Sequence, residues 1–309
     1  MSEASKGSGP PHALLRPNIL VPFILTALIW GSTWFVIKDQ LGEVPPSWSV
    51  TWRFVLAAAG MFAFALVRRE RLALPLSGHL FALGFGLAQF CLNFNLVYRA
   101  EQYVTSGIVA VLFAMLMLPN ALLARLCLGQ AVTRRFLLGT GIALCGIALL
   151  LLHEVRIAPP GSHVGLGVGL TGIAILSASV SNVMQAAPVA RTHSTVVVLA
   201  WAMLWGAAAD FAVAWAVAGP PVLPLDARYL GGVAYLGIIG SVVTFPMYIH
   251  LIRELGAGRA AYNGVVVPIV AMGISTLFEG YRWSLLAGAG AALALAGLVV
   301  ALRARSPSR

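Results

Sequence analysis

Long apolar runs, broken at short intervals by Arg, Pro, Gly and Ser, repeat along the whole chain. Most runs are close to the ~20 residues that carry a helix across ~30 Å of hydrocarbon at ~1.5 Å per residue. They predict ten helices, at 19–37, 48–67, 78–98, 103–127, 135–152, 165–186, 195–218, 229–252, 259–279 and 283–302. Ten such spans take roughly 200 residues, so the rest serves as loops and tails and no soluble domain of useful size fits. The first run ends in Trp34-Phe35-Val36-Ile37-Lys38 without a small-residue cleavage site, which makes it a membrane helix and not a cleaved leader. Residues 1–18, with Ser2, Ser5, Gly7, Ser8, Gly9, Pro10 and Pro11, cannot bury a core and are expected to be a disordered tail. Residues 303–309 form a second tail.

Composition gives the same answer. Of 309 residues, 60% are hydrophobic and 10% charged, against roughly 25% charged in soluble domains. The mean hydropathy is +0.90. The fold class is therefore an all-α integral membrane protein. The net charge of +10 does not indicate a nucleic-acid partner, because the Lys and Arg residues are scattered between apolar runs and form no basic face. Cys91, Cys127 and Cys145 lie in or beside apolar runs without metal-ligand spacing and read as small hydrophobes.

The loop charges orient the chain. If the N-terminus is inside, the inner segments hold fourteen Lys and Arg and the outer segments hold five: Lys38, Arg99, Arg156, Arg228 and Arg282. The inner set includes Lys6, Arg191, Arg259, Arg305 and Arg309. That bias predicts both termini in the cytoplasm, and the chain is expected in the cell (inner) membrane. An ungapped shift of 149 residues places Gly107 on Gly256, Pro119 on Pro268, Leu128 on Leu277, Gly139 on Gly288 and Gly141 on Gly290. Five helices per half is an odd number, so the halves 19–152 and 165–302 are expected to insert as inverted repeats.

Several of these residues carry a resemblance. Leu28-Ile29-Trp30-Gly31-Ser32 through Lys38, then Pro46 and Arg53-Phe54, then Pro119 and Leu128-Gly129-Gln130 resemble the drug/metabolite transporter superfamily, of the EamA type. Gly256 through Pro268 and Leu277-Phe278-Glu279-Gly280 echo the pattern in the second half. The family often has Gly-Glu where this chain has Gly129-Gln130. The resemblance implies a ten-helix carrier of small organic metabolites, commonly amino acids or related compounds, often moving them outward.

Two charges fall inside spans, each costing about 2.5–3.5 kcal/mol on insertion scales. Arg53 lies about 8 Å into the second helix; it either snorkels to the headgroups or serves as a fixed cation at the pathway or gate. Asp210, among Ala207, Ala208, Ala209 and Phe211, is too short to snorkel. It needs a partner, a water-filled cavity or a proton, and is a structural group or a coupling site. Helical spacing aligns Thr26, Trp30, Thr33 and Trp34, as well as Gln89 with Asn93, and Ser177, Ser181 and Gln185 with Asn182 beside them. It also aligns Ser241, Thr244 and Tyr248. Asn and Gln amides cannot be satisfied by the local backbone alone, so they serve as interhelical glue or face a polar cavity. Trp30, Trp34, Gln89, Asn93, Asn182 and Tyr248 are expected to converge on a substrate path. Pro119 and Pro268 are expected to act as hinges or as packing kinks.

Gly167, Gly169 and Gly172 spell a dinucleotide fingerprint but open a spanning helix with no preceding strand, so that reading fails. No other nucleotide or metal motif occurs, and no cofactor is implied. The alternative to a carrier is a polytopic membrane enzyme or lipid-handling protein, which calls for a clustered acid, base or nucleophile set. A channel calls for charge rings or a filter loop.

Overall fold

A computed structural model describes residues 16–42, 44–129, 132–157, 161–186, 190, 193–255 and 262–304. Lys6, Gln130, Arg191, Gly256, Arg259, Arg305 and Arg309 lie outside the described residues, as do most of both tails. Among the described residues ten helices follow one another: α1 (Pro17–Asp39), α2 (Pro46–Val67), α3 (Leu76–Gly86, Leu87–Asn93 and Phe94–Ala100) and α4 (Ser106–Phe113, Ala114–Leu116 and Met117–Leu128). Then come α5 (Arg134–Ile157), α6 (Val164–Ala186), α7 (Thr195–Ala218), α8 (Ala227–Ala234, Tyr235–Val243 and Thr244–Leu255), α9 (Asn263–Phe278) and α10 (Leu285–Ala304). Among the described residues nine are long and apolar enough to span, and α9 is a shorter apolar helix. Residues 259–261, expected to begin α9, are not described. Large apolar side chains such as Leu28, Leu66, Leu126, Ile173 and Leu176 face outward, as lipid contact requires.

The predicted spans agree closely with these helices, and two departures have physical causes. Helix α4 starts at Ser106 because Thr105 is extended. Helix α5 runs five residues past the predicted end at 152 because His153 and Glu154 are buried. His153 bonds the Ser284 hydroxyl at 3.0 Å and the Arg282 carbonyl at 3.2 Å, which ties the last turn of α5 to the start of α10.

Two helices contain a π stretch: Leu87–Asn93 in α3 and Tyr235–Val243 in α8. Shifted by 149 residues, the first falls on 236–242, inside the second. Wider turns leave carbonyls poorly served, and side chains cap them here. In α3 the Asn93 and Asn95 amides donate to the Gln89 and Cys91 carbonyls at 3.3 and 3.0 Å, and Ser177 of α6 donates to Ala88 at 2.7 Å. In α8, Ser241 donates to Leu236 at 2.9 Å and Thr244 to Ile239. Pro246 has no N–H for the Val242 carbonyl one turn back, which favours the irregular stretch before it. In α4, Pro119 likewise removes the bond to Met115, and the 3₁₀ turn Ala114–Leu116 sits at that point. Pro268 frees the Gly264 carbonyl in the first turn of α9, where no such turn follows.

Helix α2 packs along α7 and α5 along α10; α1 contacts α8 and α9, while α6 contacts α3 and α4. The largest core joins α2, α3 and α7 through Phe54, Phe85, Phe90 and Met203. At the α5–α10 seam Gly139 meets Gly297 and Ala301, while Gly146 meets Gly290 and Ala294, so the helices are antiparallel with backbones in direct contact. Gly141 and Gly288 face open space. The 149-residue register is thus corrected to 151 in this pair of helices: Gly139 and Gly146 correspond to Gly290 and Gly297.

Candidate translocation site

Helix α1 carries the first part of the site. The Trp30 indole N–H donates to the Gly240 carbonyl in the π stretch of α8 at 3.3 Å. Its ring lies 4.9 Å from Tyr248 and 5.9 Å from Phe245. Phe245 touches Phe90 of α3 at 6.2 Å, Phe90 touches Phe54 of α2 at 5.0 Å, and Phe54 touches Phe94 at 5.0 Å. An aromatic wall therefore runs across four helices. Trp34 faces another way and packs on Phe113 of α4 at 5.0 Å.

The amides bond within α3 and between α3, α6 and α4. Gln89 accepts a bond from Ser181 of α6, and the buried Asn93 leaves its side-chain oxygen without a partner. Asn182 donates to Asn120 of α4 at 3.4 Å. Trp30 meets Tyr248 directly, and Gln89 is the chain neighbour of Phe90. Asn182 of α6 and Trp34 of α1 each contact α4, through Asn120 and Phe113. Two open clefts flank the bundle. One, of about 550 Å³, is lined by Ser47, Arg99, Gln102, Tyr103, Leu170 and Val217; the other, of about 480 Å³, is lined by Pro268, Met272, Thr276 and Trp283. Neither is lined by the six candidate residues.

Arg53 is deeper than its sequence position suggested, because α2 begins at Pro46 and puts it about 10 Å from the helix start. It does not snorkel: it is 3% exposed. Its guanidinium carbon lies 4.3 Å from the Phe94 ring centre and 5.2 Å from that of Phe54, and the Tyr98 hydroxyl interacts with it. Nε and Nη1 have no hydrogen-bond partner. Asp210 is fully buried in α7 and accepts a 2.7 Å bond from the Asn95 amide of α3, with Cys91 beside it. Its other oxygen has no partner. Among the described residues, Arg53 forms no ion pair with Asp210 or any other carboxylate.

A polar cluster ties off the end of the bundle away from the termini. Lys38 donates to the carbonyls of Glu101 and, at 3.2 Å, Val104. Glu279 accepts from the Ser106 backbone at 3.1 Å and from its hydroxyl. Arg228 pairs with Asp39, and Tyr98 donates to Gln40 at 3.4 Å. Glu101 is fully buried with both carboxylate oxygens unpartnered, and burial holds its carboxyl well above the ordinary value despite Lys38. Sequence reasoning missed Glu101, Asn95 and Asn120. The signal for Glu101 was its place just beyond the end of a predicted span at 98.

The result is a bundle in which, among the described residues, nine helices are long and apolar enough to cross a membrane and buried polar groups sit at the helix junctions. The chain belongs to the EamA-like transporter family, which residues 18–152 and 165–303 match in turn. It is 31% identical over 256 residues to "Uncharacterized inner membrane transporter YedA" of Escherichia coli K12, spanning 82% of this chain and 80% of that one. It is 24% identical to "Protein PagO" of Salmonella typhimurium, spanning 87% and 88%. It is also 23% identical to a "Probable amino-acid metabolite efflux pump" of E. coli K12, spanning 90% and 92%. One solved crystal structure shares the fold with a TM-score of 0.66 at 20% identity, covering 94% of this chain and 98% of its own.

Proposed function

We propose that the chain is a secondary carrier of the inner membrane that moves small organic metabolites outward, with amino acids and related compounds as the substrate class. Transport would proceed by alternating access between two inverted five-helix halves. The observation that carries this reading is the exchange symmetry of the packing. Adding five to each helix number turns the α1–α9 and α1–α8 contacts into α6–α4 and α6–α3, and leaves the α2–α7 and α5–α10 pairs unchanged. The matched π stretches support it further. Substrate would pass the Trp30–Tyr248 wall and the amides of Gln89, Asn93 and Asn182, with Trp34 lining the path. Pro119 and Pro268 would serve as hinges. The Lys38–Glu101 and Ser106–Glu279 contacts would close the outer gate, and Asp210 would carry any coupling proton. The amino-acid class is supported by the name of the efflux pump that the chain resembles. Counterflow in proteoliposomes, with a panel of labelled amino acids and neutral metabolites, tests the reading. Trans-stimulated uptake of one or more compounds is expected; a leak insensitive to internal substrate would overturn it.

A further inference from the structure

Arg53 is a buried charge without a carboxylate partner among the described residues. It is a cation at 3% exposure with two of its three side-chain nitrogens unbonded, and such a group persists only where something repays its desolvation. Three carboxylates elsewhere in the bundle are already engaged. Asp39 is paired with Arg228, Glu279 bonds Ser106 and Asp210 is held by Asn95. Glu101 feels Arg53 electrostatically, but its burial favours the neutral acid. The guanidinium is positioned by Phe94, Phe54 and Tyr98. Gly240, whose carbonyl holds Trp30, is also where a side-chain carbon would come 4.0 Å from Arg53 Nη2. The cation and the aromatic wall therefore meet at one residue of α8.

We propose that Arg53 is the receptor for a carboxylate of the transported metabolite, whose apolar body lies against the Trp30–Phe245–Phe90 wall. This deepens the carrier reading and rests on it. A planar guanidinium flanked by ring faces suits a singly charged planar carboxylate. A phosphate dianion would call for a second free cation, and the nearby Lys38 is already bound to backbone carbonyls.

The test uses the purified full-length protein, with four probes: phenylalanine, phenylpropionate, phenylalaninamide and phenethylamine. Tryptophan fluorescence reads binding, and counterflow reads transport. The two carboxylates are expected to bind at least tenfold more tightly than the amide and the amine. Arg53→Gln should erase that preference, while Arg53→Lys keeps it with weaker binding. The comparison of probes on the wild type needs no variant, so a folding defect in Arg53→Gln does not remove the test. Equal binding of amide and acid to the wild type, or an unchanged preference in folded Arg53→Gln, overturns the proposal. If a wider panel finds transport of neutral or cationic metabolites and of no carboxylate, this inference fails and the carrier reading stands. If the wild type moves nothing in any panel, both fail.

Discussion

Glu101 shows how a single buried group ties stability to pH. Desolvation raises its carboxyl above the ordinary 4.5, with Lys38 opposing, so the fold accommodates the neutral acid. The folded protein then binds a proton that the unfolded chain gives up. That stabilisation is full below about pH 4.5 and drains away as pH rises toward the elevated folded value. Glu101→Gln should therefore flatten the fall of melting temperature with rising pH and exceed the wild type at alkaline pH. Parallel melting curves across that range would refute this account. Asp210 poses a different question. An asparagine there keeps the size and can still accept the Asn95 bond, but cannot carry a proton. Asp210→Asn should abolish pH-driven transport and leave substrate exchange nearly intact, in a protein that expresses normally. A loss of folded protein would mark the residue as structural instead. The burial of Asp210 was legible from its alanine neighbours. Its partner was not, because Asn95 lies 115 positions away and no local pattern links the two.

Helices were the most legible elements because the bilayer itself fixes their length. A run of about 20 apolar residues has one way to satisfy its backbone in hydrocarbon. What the pattern hid was the kind of turn. A π stretch of seven or nine residues inside a uniformly apolar run shifts the helical phase where no polar face records it. The sequence hints were the backbone-capping residues Asn93, Asn95, Ser241 and Thr244, together with Pro246. The α5–α10 seam was half legible. Its glycines were evident, six on the two helices, but which of them meet was set by the packing. Helix α10 backbone atoms occupy the place of a side chain at Gly146, whereas Gly141 has open space. Gly146→Leu should destabilise by about 1–3 kcal/mol or more through overpacking. Gly141→Leu should stay within about 1 kcal/mol of the wild type, helped by better helix propensity. Melting of detergent-solubilised protein by fluorescence-detected size exclusion separates the two, and equal melting would disprove the seam.

For the whole molecule the orientation rests on the charge bias of the loops. We expect both termini in the cytoplasm, so alkaline phosphatase fused after Arg309 should be inactive and a green fluorescent fusion should glow. High phosphatase activity at that end would reverse the assignment. The glycine seam reaches further than packing. It is a contact between two different segments that each read almost the same face to the other, as two copies of a single shorter chain would. The covalent link between Ile157 and Val164 is then a convenience that raises the local concentration of one half near the other. Coding 1–157 and 164–309 as two separate polypeptides should yield fragments that co-purify and restore transport. Gly146→Leu in the first fragment should weaken their pairing. A protein that tolerates being cut there holds its halves together through side-by-side packing and not through the linker.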